Sequence, residues 1–188
     1  MTEGELDRRV QRTKDALLKA FHELVLACPY DEISVPAIVE RAGVGRSTFY
    51  EHYRSKDDML EQSMGRLLSI LADCVLPDCD VDQVRFVVEH FWTNRTLARS
   101  LCNGPASRRI VHSLAELVAE RMAPIAEAAA TGSPVPLRLA AAQVAEGLVG
   151  LLRAWLNGSE TCASEVLADA MHKSASSATQ GLFGHRER

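Results

Sequence analysis

The chain has 188 residues, of which 47% are hydrophobic and 24% are charged, and its formal net charge is −4. This length allows one domain, or a small domain joined to a larger one, with a core that needs neither disulfides nor metal ions. The acidic balance argues against a strongly basic nucleic-acid binder, and the first 56 residues carry nine positive and nine negative side chains. If the chain binds DNA, the position of its charges must therefore matter more than their sum.

The sequence suggests neither a signal peptide nor a membrane span. The N-terminus, MTEGELDRRV, is charged from its third residue, so we do not expect the apolar core of a signal peptide. The most apolar stretch, from 137 to 156, contains Arg138, Gln143, Glu146 and Arg153. These residues interrupt the run of about 20 apolar residues that a membrane helix needs. We therefore expect a cytoplasmic protein.

The five cysteines suggest neither a disulfide framework nor a metal site. Their number is odd, and none forms a CxxC pair. Cys74 and Cys79 lie near three aspartates in DCVLPDCD, but their spacing matches no common zinc site. We expect no metal ion and no cofactor.

Apolar residues recur at helical spacing from end to end, and alternating β-branched runs are missing, which predicts an all-α protein. The predicted helices span approximately 6–28, 34–42, 46–53, 56–75, 82–91, 95–101, 106–129, 137–156 and 165–175. We expect two domains, 1–56 and 57–176, with LPDCDVD as a linker close to the boundary. The small, polar tail, 177–188, is expected to be frayed.

Residues that begin and end helices support these assignments. Ser34 is a favoured N-cap, Pro36 fits the first turn of the second helix, and Gly43 is expected to end it in a left-handed conformation. Ser55 is the expected N-cap of the fourth helix. Further expected starts, caps and kinks are Asp82, Asn94, Ser164 and Pro124.

The stretch AGVGRSTFYEHYRSKDDML, residues 42–60, places large polar-tipped side chains directly after a glycine turn. The second predicted helix, this turn and the short third helix form a helix-turn-helix, in which the second helix of the motif enters the major groove of DNA. Val44, Phe49 and Tyr53 fit its buried face. The outward-pointing residues are Arg46, Ser47, Thr48, Tyr50, Glu51 and His52.

The same stretch resembles the DNA-binding signature of the TetR (tetracycline repressor) family. The resemblance includes RRVQRTKDALLKAFHELVLACPYDEISVPAIVERAGV and covers about the first 60 residues. Its specific features are the Ser cap, the apolar-AG-V turn, T-F-Y-x-H-Y and S-K-x-x-L. The resemblance implies a DNA-binding domain fused to a helical domain that senses a ligand.

By position, the resemblance implies that Arg46, Ser47 and Thr48 meet bases or the nearby backbone, and that Tyr50, His52 and Lys56 hold phosphates. Arg46 is our choice for direct readout, because arginine pairs bidentately with guanine. The full predicted DNA-binding set is Arg12, Ser34, Arg46, Ser47, Thr48, Tyr50, Glu51, His52 and Lys56.

Two residues depart from the family pattern. Gly45 replaces the serine often found there, so a cap or phosphate contact is missing. Glu51 is acidic within the recognition helix, where it either accepts from cytosine N4 or repels phosphate and sharpens specificity. These departures, with the acidic balance, support an alternative: a helical protein of the same fold that acts through protein partners, with weak or no sequence-specific DNA binding.

The eighth predicted helix is rich in small and apolar residues on several faces, which favours burial on more than one side. Coverage by the neighbouring helices of the same chain would account for this, but the resemblance implies a homodimer whose last two long helices form a four-helix bundle. The predicted interface residues are Ala140, Val144, Gly147, Leu148, Leu151, Trp155, Leu167 and Met171.

The resemblance also implies a ligand cavity enclosed by the fourth to seventh helices. The candidate lining residues are Phe86, His90, Trp92, Leu101, His112, Leu117 and Met122. The implied mechanism is a repressor dimer that binds a palindromic operator and is released when a small molecule shifts the fourth helix. An enzyme is not expected, because GxSxG, P-loop and HExxH motifs are missing.

Overall fold

The computed structural model describes residues 3–129, 135–159 and 161–183, and within these residues the chain is helical and contains no strand. The helices are α1 (Glu3–Ala27), α2 (Val35–Ala42), α3 (Arg46–Tyr50), α4 (Lys56–Ala72), α5 (Val81–Thr93), α6 (Arg95–Asn103), α7 (Ser107–Ala128), α8 (Leu137–Asn157) and α9 (Ser164–Phe183). Short 3₁₀ turns lie at Tyr30–Glu32 and Asp73–Val75. The predicted fold class is confirmed.

Local signals fix the turn between α2 and α3 as the sequence predicts. The hydroxyl of Ser34 accepts a hydrogen bond from the Ala37 amide at 3.3 Å, which caps α2. Gly43 lies at φ +66°, in the left-handed region that favours glycine. The Val44 amide then donates to the Val39 carbonyl at 3.1 Å, so the chain leaves α2 in a fixed direction.

The core passes through the predicted domain boundary without a break. Phe21 of α1 and Phe49 of α3 are fully buried, and they belong to the same apolar cluster as Met59 and Leu60 of α4. Beyond α4, the apolar cluster continues into two helix pairs. α7 packs against α8, and α5 packs against α9. α4 therefore belongs to both units. We call α1–α3 the N-terminal unit and α5–α9 the C-terminal unit.

Two predicted boundaries were wrong. The third helix ends at Tyr50 rather than Tyr53, although the Tyr53 amide still donates to the Phe49 carbonyl at 2.9 Å. The segment predicted as a frayed tail is helical as far as Phe183, because Thr179 and Phe183 are buried against the core and hold it there. The last five residues of that predicted tail lie outside the described residues.

Several predicted helix starts also differ. α5 is capped by Asp80, whose carboxylate accepts from the amides of Asp82 and Gln83. Asn94 stands at the cap position of α6, but its amide donates back to the His90 carbonyl at 3.0 Å, so it does not cap that helix. Ser164 is the first residue of α9, and its hydroxyl donates to Glu89 at 3.1 Å.

α7 continues beyond the proline that it contains. Pro124 lies inside α7, which continues to Ala128. The predicted kink at this position stays a prediction.

α8 is long and apolar enough to cross a membrane by length and composition, with a mean hydropathy of 1.3 over its most apolar window. The expectation that no segment reaches this level was therefore wrong. Half of that window is buried inside the protein, where α8 packs against α6, α7 and α9. This burial identifies α8 as the central helix of the C-terminal unit.

Candidate nucleic-acid interface

The outer face of α3 carries hydrogen-bonding side chains, and the inner face of the same helix is held in the core by an aromatic residue. Phe49 is fully buried and meets the ring of Tyr50 edge to face, with ring centroids 5.4 Å apart. Tyr50 is 51% exposed, and Arg46, Ser47 and Glu51 are exposed beside it. The predicted alternation is confirmed, since Phe49 points inward and Tyr50 points outward.

The remaining members of the predicted DNA-binding set lie around this face. Thr48 and His52 are half-buried, and the ring of His52 lies against that of Tyr53. Arg12 is exposed on α1, and Ser34 is exposed at the start of α2. All nine residues are at least partly open to solvent, but the Ser34 hydroxyl already caps α2 and Lys56 is held by several contacts within the protein.

Lys56 is engaged by the protein itself. Its ammonium donates to the carbonyls of Tyr30 at 2.7 Å, Ile33 at 2.8 Å and Asp31 at 3.2 Å. It also lies 4.6 Å from the centroid of the Tyr30 ring, a cation–π contact. A lysine has three N–H donors, so a phosphate contact would require Lys56 to leave at least one of these carbonyls.

The start of α4 is fixed by the predicted Ser55 cap, which is confirmed, and by hydrogen bonds to Asp58 that were not predicted. The Ser55 hydroxyl accepts from the Asp58 amide at 3.1 Å. The Asp58 carboxylate accepts in turn from the Arg54 amide at 2.8 Å, the Arg54 guanidinium at 3.1 Å and the Gln62 amide at 3.1 Å. The bond from the Arg54 amide, followed by that from its guanidinium, lowers the pKa of the Asp58 carboxyl. The turn that carries α3 into α4 is therefore rigid.

The N-terminal and C-terminal units meet at Asp57. The Tyr30 hydroxyl donates to one carboxylate oxygen at 2.5 Å, and Arg109 of α7 donates to the other at 2.6 Å. Burial of the Tyr30 hydroxyl, followed by its bond to Asp57, raises the pKa of Tyr30. We call Tyr30, Lys56, Asp57 and Arg109 the Asp57 cluster. It joins the α1–α2 turn, the start of α4 and the start of α7.

α7 also holds the other end of α4. Arg121 donates to the Asp73 carboxylate at 2.7 Å and to the Ser69 hydroxyl at 3.1 Å. With the Arg109 contact, α4 is thus attached to α7 by charged hydrogen bonds near both of its ends. A displacement of α4 must strain or break one of these attachments.

The predicted ligand-binding residues do not share one cavity. His90 and Leu101 line a cavity of about 270 Å³ between α1, α4, α5 and α6. His112 lies beside the Asp57 cluster, in a depression of about 520 Å³. The ring of Trp92 contacts that of Trp155 in a tilted arrangement, with ring centroids 4.6 Å apart.

The other three lining candidates are no closer together. Phe86 is 54% exposed, Met122 is fully buried and Leu117 is half-buried. The described cavities do not bring the seven candidates together, so their grouping stays a prediction, and α7 turns an apolar face into the core. Its buried residues are Ile110, Leu114, Val118 and Met122.

The predicted dimer residues are also mostly internal. Of the eight, six fill the core of their own protomer: Ala140, Val144, Leu148, Trp155, Leu167 and Met171. Gly147 is exposed and Leu151 is half-buried. The exposed faces of α8 and α9 instead mix charged and polar side chains with small and apolar ones. The charged residues include Arg138, Glu146, Glu165, Asp169 and Lys173, and the small and apolar ones include Leu139, Ala154 and Val166. Helical periodicity alone did not reveal which apolar face looks inward.

Comparisons with known proteins agree with the helix-turn-helix geometry. The family described as "Bacterial regulatory proteins, tetR family" matches residues 17–62. An uncharacterized HTH-type transcriptional regulator, YxbF, of Bacillus subtilis is 35% identical over 72 residues. This match spans 38% of the chain and 19% of that relative.

Among solved structures, a TetR transcriptional regulator from Streptococcus agalactiae is 25% identical, with a TM-score of 0.58 over 93% of this chain and 99% of that one. NalD of Pseudomonas aeruginosa, the secondary repressor of the MexAB-OprM multidrug efflux pump, shares the fold at 18% identity and a TM-score of 0.58, over 95% of this chain and 100% of that one. The family match, the shared fold and the helix-turn-helix geometry agree. Residues 17–62 carry the helix-turn-helix DNA-binding unit of the tetR family of bacterial regulatory proteins, and the fold of the described residues is similar to that of a TetR transcriptional regulator.

Proposed function

We propose that the protein is a repressor that binds a palindromic operator as a homodimer and is released by a small-molecule effector. The observation that carries this proposal is the outer face of α3, where Arg46, Ser47, Tyr50 and Glu51 are exposed around the buried Phe49. A helix of five residues is too short to be stable alone. Phe49 and Tyr53 in the core fix its position. The helix is therefore ordered before it meets DNA, and binding loses little conformational entropy.

Each exposed side chain on this face has a role suited to its chemistry. Arg46, at the start of α3, is placed to pair with guanine O6 and N7, and Glu51 can accept from cytosine N4. Tyr50 and His52 hold phosphates, and Arg12 reaches the backbone beside the groove. These contacts give both sequence preference and register, because phosphate contacts position a protein while base contacts specify the site.

A dimer follows from the small size of the DNA-contacting element. One α3 helix meets only a few base pairs, whereas two helices related by a two-fold axis recognise half-sites about one or more helical turns apart. The outward faces of α8 and α9 support such a pairing. Gly147 and Ala154 on α8, with Ser174 and Ser177 on α9, are exposed and small, so two such helix pairs could approach closely.

The test is selection of bound duplexes from a random DNA pool by the purified protein without added ligand, with the oligomeric state measured by sedimentation. We expect an enriched palindrome and a dimer. Arg46→Ala should lower affinity and relax the preference at one base pair of each half-site, a loss of about 1–3 kcal/mol per base contact. Arg66→Ala, at an exposed position on α4, serves as the matched control.

Salt dependence separates phosphate contacts from other modes of association. The logarithm of the affinity for the selected duplex should fall linearly with the logarithm of salt concentration, and Tyr50→Phe should lower affinity similarly for all sequences. A folded dimer that enriches no sequence at low salt would contradict the proposal. It would favour the alternative in which the chain acts through protein partners.

A further inference from the structure

The cavity of about 270 Å³ between α1, α4, α5 and α6 lies between the N-terminal unit and the C-terminal unit. Its walls are mostly apolar and include Leu18 of α1, Met64 and Leu67 of α4, and Leu101 of α6. Binding sites for small molecules are typically apolar concave pockets with a few polar groups, and they occur preferentially where domains meet. α7 and α8 contribute no lining residue among those described, so this cavity differs from the one expected between α4 and α7.

Polar groups at the cavity have unused hydrogen-bonding capacity. His22 of α1 is half-buried, His90 of α5 lies at the exposed rim, and neither ring has a hydrogen-bond or ion-pair partner among the described residues. Asn94 uses its amide N–H on the His90 carbonyl, which leaves its side-chain oxygen available. No buried side-chain nitrogen or oxygen among the described residues lacks a partner, so these ring nitrogens reach solvent and are free to hydrogen-bond to a ligand hydroxyl or carbonyl.

Among the described residues, the lining contains no aspartate, glutamate, lysine or arginine. A charged ligand would therefore be desolvated without an opposite charge to pair with, which is strongly unfavourable. Burial lowers the pKa of His22, so its imidazole is neutral at pH 7 and offers both a donor and an acceptor. The lining thus suits an uncharged ligand with a hydroxyl or carbonyl group.

The size of the cavity limits the ligand further. A dry cavity of about 150 Å³ in a protein core holds one benzene molecule. The present cavity is larger, and the side chain of Met64 is flexible enough to adapt to different shapes. One or two fused rings with a single polar group would fill it.

We propose that this cavity is the effector site and that it takes a neutral, mostly apolar molecule of one or two rings carrying one hydroxyl or carbonyl group. The coupling part of this proposal rests on the proposed function. The cavity wall is shared by α1, which supports α3 through the core, and by α6, which is tied to α1 by the Ser100 hydroxyl donating to the Val25 carbonyl at 2.9 Å. A ligand that fits better when α1 and α6 are apart stabilises the conformation that cannot hold the operator.

Binding is tested first without DNA, so that the result does not depend on the operator. Calorimetry with 1-naphthol, and with 1-naphthalenesulfonate as a charged analogue, measures affinity and stoichiometry on the full chain. We expect one saturable 1-naphthol site per protomer and at least tenfold weaker binding of the sulfonate. Labelled methionine methyl groups report the location, and the Met64 resonance should shift most.

Three variants locate the site. Ala98→Leu fills the cavity from α6 and should weaken 1-naphthol binding at least tenfold, whereas Thr96→Leu adds the same side chain at an exposed position of the same helix and should leave binding unchanged. His22→Phe keeps the ring but removes the hydrogen bond and should weaken binding about fivefold to tenfold. Unchanged affinity in both Ala98→Leu and His22→Phe, or no saturable binding to the folded protein, overturns the assignment.

The link to DNA is tested last, on the selected operator duplex. 1-Naphthol should release the wild-type complex and leave the Ala98→Leu complex intact. Binding to the cavity without release would overturn its role as an effector site. Failure to select any operator, with cavity binding intact, would instead contradict the proposed function while the ligand site stands.

Discussion

The N-terminal unit and the C-terminal unit are both helical and share one core, but their sequences specify side-chain directions to different degrees. In the N-terminal unit, Ser34, Gly43 and the alternation of Phe49 and Tyr50 place each side chain through local hydrogen bonds and backbone conformation. In the C-terminal unit, α8 is apolar on several sides, and only contacts with α6, α7 and α9 decide which side is internal. Caps, turn glycines and short-range alternation therefore predict which side chains face solvent. Packing between helices that are distant in sequence leaves no comparable pattern in the sequence.

The largest expected effect tests whether the two units are one folding unit. Phe49→Ala removes a fully buried ring from the N-terminal unit and should cost about 3–5 kcal/mol of the free energy of unfolding. Because the core continues through α4, we expect a single urea transition, shifted to lower urea, when it is followed by far-ultraviolet circular dichroism. Leu26→Ala, at a 52% exposed position of α1, should change stability by less than about 0.5 kcal/mol. Two separate transitions in Phe49→Ala would show that the units unfold independently.

The second expected effect concerns the contact between the units. Tyr30→Phe removes the hydroxyl that donates to Asp57 and leaves the Arg109 contact in place. A hydrogen bond to a charged group contributes about 1.5–3 kcal/mol, and we expect a loss near the lower end because Arg109 still compensates Asp57. Tyr50→Phe is the matched control, since its hydroxyl is on the exposed face of α3. Equal stability of both variants in urea unfolding would show that the Asp57 cluster does not hold the units together.

The third prediction concerns the start of α4 and depends on pH. The pKa of Asp58 is lowered in the folded protein, so its contribution to stability is complete above its unfolded pKa of about 3.9 and is lost as the pH falls through the lower folded value. Asp58→Asn should therefore cost about 1 kcal/mol at pH 7 and progressively less below about pH 4. Urea unfolding at pH 7 and pH 3 measures the difference. Asp169→Asn, at an exposed position of α9 where the carboxylate pairs only with Lys173 among the described residues, is the comparison variant. A constant difference between Asp58→Asn and wild type at both pH values would contradict this account.

The contrast between the units also explains which predictions failed. The helix-turn-helix could be predicted because each of its features is specified by residues within a few positions of it: a cap, a left-handed glycine and an aromatic pair. The ligand-binding and dimer sets were chosen for residue type and helical spacing, and these properties do not distinguish a core residue from a surface residue. Ala140 and Leu148 were therefore assigned to a surface although they are fully buried or nearly so.

Long-range polar contacts were missed for a related reason. Asp57 and Arg109 are 52 positions apart, and nothing in the sequence near either residue indicates the other. The family resemblance implied that Lys56, at the start of the fourth helix, holds a phosphate, yet the carbonyls that bind it lie more than 20 residues earlier. By contrast, the hydrogen bonds of Asp58 are local, and a Ser followed three residues later by an acidic residue is a recognisable helix start. Only the Ser55 half of this signal entered the prediction of the helix start.

The smallest expected effect compares two glycines of the same turn. Gly45 lies at φ −73°, and a Cβ there would meet its nearest neighbours at 3.7 Å, so the backbone does not require glycine. Gly45→Ser should supply the missing side-chain cap of α3 and stabilise the protein by a few tenths of a kcal/mol, an approximate gain for a better N-cap. Gly43→Ser, two residues earlier, should instead cost about 1 kcal/mol, because φ +66° strains any other residue even though the space around it is open. Thermal and urea unfolding of both variants, with affinity for the selected duplex, measure the pair. The free energy of unfolding should rise in Gly45→Ser and fall in Gly43→Ser. If Gly45→Ser lowers it instead, the turn requires glycine at this position.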